Sequence, residues 1–280
     1  MPTLTTKGAR IAYSDTGPPA GRQPALPDAP TIVFGHGLLF SGRMFTAQID
    51  RLRQTHRCVA IDWRGQGASP PADGGYDMDT LSLDAVALIE SLDVGPVHYV
   101  GLSMGGFVGQ RVAARRPDLI RSLILLDTSA EAETPSAVRQ DKLLANVFRV
   151  AGLGPVRKPV LKLMFGPSFL ADPRSEAVIE EWMSQVARND RGAIRRAVLG
   201  VADRAPILAE LGAITAPTLV VVGEPDAPTP PGRARTIVAA IAGARLEIVS
   251  DSGHSSTIEQ PEVLTSLIES FVLGVESRAH

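Results

Sequence analysis

Val97-His98-Tyr99-Val100-Gly101-Leu102-Ser103-Met104-Gly105-Gly106 passes from an apolar strand pattern straight into a helical one, with one serine at the junction. A strand that turns directly into a helix leaves no room for bulky side chains beside the corner. The glycines at 101 and 105 meet that demand, and Gly106 extends the freedom. A serine held on such a strained backbone projects its hydroxyl outward. The helix that starts beside it offers free amide donors and the positive end of its dipole, both suited to an oxyanion. A simple connecting turn is the plainer reading of the same residues. A phosphate loop does not fit, because its lysine and the G-x-G-x-x-G spacing are missing.

On either side of this corner, short apolar runs alternate with longer helical patterns. Strands are predicted at Arg10–Ser14, Thr31–Gly35, Cys58–Asp62, Val97–Leu102, Leu119–Leu126, Thr218–Gly223 and Arg245–Val249. Helices are predicted at Met78–Ser91, Met104–Ala114, Pro231–Ala242 and Pro261–Val272, with proline marking two of their starts. Strand-helix-strand alternation predicts an α/β fold built on a parallel sheet. Two stretches interrupt it. The Pro- and Gly-rich segment Gly17–Pro30 reads as a loop. From about Ala130 to about Leu211, helical patterns follow one another without a strand. A structureless loop of that length does not fit a compact domain, so a helical cap over the sheet edge is expected. The expected division is a core of residues 1–129 and 212–280 with a cap of 130–211.

A serine hydroxyl needs a base within hydrogen-bond reach to act as a nucleophile. Of five histidines, His254 follows the last predicted strand in Asp251-Ser252-Gly253-His254-Ser255, which brings it to the same sheet edge as Ser103. His36 is the rival, since His36-Gly37-Leu38 also follows a strand there. That loop is where a second oxyanion amide is expected, with Leu38 N–H and Met104 N–H converging on the carbonyl oxygen. His36 would then brace the loop. His56, His98 and His280 are weaker candidates: a helix end, a strand interior and the terminus. The acid that orients the histidine is expected at Asp226, after Thr218–Gly223, with Glu224 close by and Asp127 as the fallback. The expected catalytic set is Ser103, Asp226 and His254.

The 44% apolar content supports a large core, and 28 basic against 30 acidic residues leave a net charge of −2. That balance gives no reason to expect nucleic acid. The single Cys58 lies in an apolar run and reads as a buried hydrophobe. The first residues lack the charged and apolar regions of a signal peptide, and no stretch reaches the roughly 18 apolar residues of a membrane span. A soluble, cytoplasmic protein is expected. Asp62 and Arg64 read as holding a Gly-rich turn. Arg188, Arg191 and Arg195, spaced as one helical face, read as solvated surface, with an anionic substrate as the alternative. Leu161, Met164, Phe165, Phe169, Trp182 and Met183 are expected to line a pocket or to pack the cap. His36, Phe165 and Trp182 are the possible substrate contacts.

These residues resemble the α/β-hydrolase superfamily, in its branch of enol-lactonase-like and cofactor-free haloperoxidase-like serine esterases. The resemblance rests on the serine corner, Gly35-His36-Gly37, Asp62-Trp63-Arg64-Gly65-Gln66-Gly67-Ala68-Ser69, Leu126-Asp127-Thr128-Ser129, and Gly253-His254-Ser255-Ser256 with Glu259-Gln260-Pro261. It implies a mostly parallel eight-stranded sheet flanked by helices, with a helical cap inserted after the sixth strand. It also implies a serine hydrolase that cleaves a small carboxylic ester or lactone through an acyl-enzyme, without a metal or organic cofactor. A serine rather than an aspartate at 103 argues against epoxide hydrolase and haloalkane dehalogenase chemistry. Carbon–carbon bond hydrolysis and perhydrolysis share the same apparatus. A ligand receptor that keeps the triad is the alternative of another class.

Overall fold

In the computed structural model, residues 1–19 and 30–278 are described; most of the predicted Gly17–Pro30 loop and His280 lie outside them. The strands are β1 (Thr3–Thr6), β2 (Ala9–Asp15), β3 (Thr31–Gly35), β4 (Arg57–Ile61), β5 (Val97–Leu102), β6 (Ile120–Leu126), β7 (Thr218–Gly223) and β8 (Arg245–Val249). They form one sheet in the order β1-β2-β4-β3-β5-β6-β7-β8, antiparallel at β1–β2 and β2–β4 and parallel elsewhere. Strand β1 is absent from the sequence-based reading. Its polar Thr3-Leu4-Thr5-Thr6 lies at the sheet edge and carries little apolar signal. It pairs with β2 through Lys7 and Gly8, whose φ values of 44° and 75° match the both-positive pattern of a type I′ hairpin turn.

The central strands are buried on both faces, so their sequences read as nearly unbroken apolar runs. Their side chains still alternate. Val33, Tyr99, Leu123, Leu125, Val220 and Val222 face one core, while Ile32, Phe34, Val100, Leu102, Ile124, Leu126 and Val221 face the other. Helix α1 (Thr46–Leu52) contributes Leu52 to the second face. Helices α2 (Met78–Leu92) and α3 (Met104–Arg115) cover the first, α2 starting where the Asp77 side chain accepts the Thr80 amide.

Between β6 and β7 run five helices: α4 (Pro135–Ala151), α5 (Arg157–Met164), α6 (Pro167–Ala171), α7 (Glu176–Arg188) and α8 (Arg191–Ala202). Their apolar residues, among them Phe148, Val160, Met183, Val186 and Ile194, merge with the second core. The chain then completes the sheet with β7 and β8, which α9 (Pro231–Ala240) connects, and ends in α10 (Ser256–Glu259) and α11 (Pro261–Glu276). The predicted single face of Arg188, Arg191 and Arg195 needs correction. Helix α7 stops at Arg188, and Asp190 caps α8 by accepting the Ala193 amide, so the three arginines belong to two helices. No helix among the described residues is long and apolar enough to cross a membrane.

Candidate active site

Ser103 stands between β5 and α3 with φ 51° and ψ −111°, a conformation that non-glycine residues avoid. Its surroundings fix it there. The Ser103 amide donates to Leu126 O, the Thr128 hydroxyl donates to Ser103 O at 2.9 Å, and the Gly105 amide donates to His36 O. A methyl group on Gly105 would overlap the Gly35 carbonyl, and one on Gly101 would overlap the backbone of Gly105. Glycine at both positions is what lets three backbone segments meet.

The ends of β7 and β8 bring Asp226 and His254 to this corner. His254 Nε2 lies 2.8 Å from Ser103 Oγ, and His254 Nδ1 lies 3.0 Å from both carboxylate oxygens of Asp226. Thr229 also donates to that carboxylate, through its amide at 3.0 Å and its hydroxyl at 2.7 Å, and its hydroxyl lies 3.4 Å from His254 Nδ1. All three side chains are buried, with Ser103 at 7% and His254 at 5% exposure. Burial works against charging the imidazole, but the adjoining Asp226 carboxylate outweighs it and raises His254 above its ordinary range.

Asp127, the fallback acid, has other partners. It accepts the Gly223 amide at 2.9 Å and the Ser256 hydroxyl, fully buried at the end of β6. Burial and the neighbouring Asp226 charge push its pKa well above the usual carboxylate range. Glu259 was not singled out from sequence as a site residue. Its carboxylate accepts three backbone amides, those of Gly253 (2.9 Å) and Ser255 (3.0 Å), which flank His254, and that of Gly166 (2.8 Å), between α5 and α6. The sequence signal was its place five residues after His254, ahead of Gln260-Pro261. Thr229, three residues past Asp226, carried only a turn-like spacing.

His36 is fully buried with both ring nitrogens engaged. Nδ1 is 2.7 Å from Gly37 O, and Nε2 lies 3.0 Å from the Trp63 amide, while Trp63 Nε1 donates to His36 O. Because Nε2 accepts, Nδ1 carries the proton, and burial keeps the ring neutral by lowering its pKa. In the neighbouring loop Gly37 N–H donates to Met44 Sδ and Leu39 N–H to Gln66 Oε1. The amides on both sides of Leu38 are thus committed, as are those on both sides of Met104. Asp62 accepts the Gly42 and Ala68 amides, and Arg64 pairs with Asp84, so both serve loop structure.

A cavity of about 130 Å³ opens onto Ser103 and His254, with mostly apolar walls from the Leu38 loop and from α4, α5 and α8. His36, Phe165 and Trp182, expected to touch substrate, are not among its lining. His36 is enclosed by the loop it braces. The rings of Phe165 and Trp182 pack on Phe40, at 6.3 and 4.9 Å between centroids, and Phe40 is the residue that reaches the cavity. Among the described residues, no cluster of three His, Cys, Asp or Glu side chains could hold a metal ion.

Comparison with known proteins agrees with this architecture. The family model described as alpha/beta hydrolase fold matches residues 30–261. The chain is 26% identical over 267 residues to 3-oxoadipate enol-lactonase 2 of Acinetobacter baylyi, covering 95% of this chain and 94% of that protein. It superposes on the enol-lactonase of Burkholderia xenovorans LB400 with a TM-score of 0.87 at 27% identity, over 97% of this chain and 100% of the other. A thermophilic esterase from Thermogutta terrifontis gives 0.86 at 28% identity, over 98% and 97%. With the sheet order, the serine corner between β5 and α3 and a family match spanning most of the sequence, the chain belongs to the α/β-hydrolase family of enzymes.

Proposed function

We propose that the protein is a serine hydrolase that cleaves a small carboxylic ester or lactone, with Ser103 as nucleophile, His254 as general base and Asp226 as the acid that orients it. The observation that carries this reading is the continuous hydrogen-bond path from Ser103 Oγ to His254 Nε2 and from Nδ1 to Asp226. Ser103 Oγ attacks the carbonyl carbon as His254 Nε2 takes its proton. Asp226 holds the Nδ1–H tautomer and stabilises the imidazolium. The negative charge on the former carbonyl oxygen is met by Leu38 N–H and Met104 N–H, whose sequence neighbours are bonded elsewhere. His254 returns its proton to the departing alcohol oxygen. Water, deprotonated in turn by His254, then cleaves the acyl-enzyme and restores Ser103.

Residues 130–211 act in this reading as a cap on a core of 1–129 and 212–280, excluding water and forming most of the acyl pocket. Reaction of the intact protein with a fluorophosphonate probe, followed by mass spectrometry, tests the proposal. One adduct is expected, absent from Ser103→Ala. Folded protein that takes up no probe, or labels equally in the variant, overturns the assignment of Ser103.

A further inference from the structure

Leu39, next to the proposed oxyanion donor Leu38, has a φ of 75°, and among the described residues it is the one apolar non-glycine residue on a left-handed backbone. A residue with a side chain avoids that region and stays in it only where its surroundings over-determine it. Three side chains hold the loop. His36 Nδ1–H donates to Gly37 O at 2.7 Å, Gln66 Oε1 accepts the Leu39 amide at 2.7 Å, and Asn189 Nδ2 donates to Leu39 O at 3.2 Å. These bonds fall on three successive peptides. His36 and Gln66 come from the loops that follow β3 and β4. Asn189 comes instead from the helical insertion, where it runs extended, φ −62° and ψ 150°, between the end of α7 and the Asp190 cap of α8. The insertion touches the same loop again where Phe40 packs on Trp182 of α7, 4.9 Å between ring centroids.

Peptide planarity turns these bonds into a direction for Leu38 N–H. In a trans peptide the N–H points opposite the C=O, so the His36 bond to Gly37 O aims the Leu38 amide the other way. The Leu39 φ torsion is the rotation between the Leu38 side of the loop and the Phe40 side. Its relaxation to negative values would swing Leu38 relative to Phe40. Gln66 holds one end of that bond and Asn189 the other. We infer that Asn189 is a positioning residue: by holding Leu39 O it keeps Leu39 left-handed and Leu38 N–H aimed at the oxyanion, so the helical insertion completes the oxyanion hole as well as covering the cavity. The inference rests on the serine hydrolase reading, in which Leu38 N–H meets the developing charge, and extends it to a residue outside the lining of the catalytic cavity.

Asn189→Leu keeps the bulk and removes the donor. With an aryl hexanoate, kcat is expected to fall about tenfold or more while KM changes by less than about twofold, a fraction of the roughly 10²–10³ that follows loss of a whole oxyanion donor. An alkyl trifluoromethyl ketone, whose carbonyl carbon takes Ser103 Oγ and leaves the charge on oxygen while His254 keeps the proton, should bind more weakly by the same factor. A smaller folded fraction would not produce that change, because Ki does not depend on the amount of active enzyme. Asn189→Asp, of the same size but with no donor for Leu39 O, should behave alike and serves if the leucine variant does not fold. Unchanged kcat and Ki in a folded variant, or a KM that rises while kcat stays, overturns the inference. Hydrogen exchange at the Leu39 amide, read by mass spectrometry, separates the two claims and is expected to quicken about tenfold or more in either variant. Faster exchange in a protein with no wild-type turnover and no ketone binding would remove the hydrolase reading and keep the brace on the loop. Turnover with unchanged exchange and Ki would do the reverse.

Discussion

Of the carboxylates near His254, Asp226 and Asp127 both follow strands, and their partners give them different work. Asp226 touches the imidazole, whereas Asp127 bonds a backbone amide and the Ser256 hydroxyl. From sequence both follow strands at the right edge, and only hydrogen-bond geometry separates them. Asp226→Asn is therefore expected to lower kcat by roughly 10⁴, since an amide in that place favours the wrong imidazole tautomer. Asp127→Asn should retain kcat within severalfold, because an amide can still accept from Gly223 and bond Ser256. The substitution also acts on stability. The folded pKa of Asp127 lies above its unfolded value of about 3.9, so the folded state holds the extra proton between the two. Stability conferred by that proton is present below the unfolded pKa and is lost as pH rises toward the folded one. The asparagine variant should gain on the wild type across that window in urea unfolding, and a 10⁴ loss of kcat in it would transfer the acid role to Asp127. Asp226 also raises His254, which must be neutral to act as a base. The acid limb of kcat/KM on a short ester is expected above pH 6.5, and a limb below that value would contradict the pairing.

Among the elements, the strand-turn-helix at Ser103 was the most legible, because the glycines that permit it leave a direct mark on the sequence. The β1 hairpin left none, being polar and carried by a Lys-Gly turn. The break between α7 and α8 was hidden by an arginine spacing that mimics one helix. Glu259 was missed as a site residue for another reason: it acts on backbone amides, and those have no side-chain signature. Its three acceptor bonds tie the segment after α5 to both flanks of His254. Glu259→Gln replaces one acceptor oxygen with an NH₂ that faces an amide donor, leaving at least one buried N–H unsatisfied at about 1–3 kcal/mol. A lower urea midpoint is expected, with kcat reduced by about tenfold or more and KM for an acetate ester little changed, as befits a residue that positions the base. An unchanged kcat would show that His254 is held without this clamp.

For the molecule as a whole, alternating strand and helix patterns were enough to read the α/β sheet and the long helical insertion before β7. Which insertion residues face substrate was not readable, since that depends on how five short helices settle on the sheet. Phe165 and Trp182 look like pocket residues by size alone, yet their rings pack on Phe40, and it is Phe40, Phe148, Ala145 and Val198, among others, that form the wall. Function follows from this arrangement. If α4 is a fixed wall of the acyl pocket, filling it must shorten the chain that fits. Ala145 is buried in α4 and borders the cavity, so Ala145→Phe places a phenyl ring in that space. The ratio of kcat/KM for hexanoate over acetate esters is expected to fall by at least about tenfold, roughly the worth of one or two methylenes excluded from an apolar pocket. Taking the ratio within one variant cancels any loss of folded protein. An unchanged ratio would mean that the helices between β6 and β7 swing clear of the bound acyl chain during turnover, and that the closed cavity is not the geometry in which substrates are chosen.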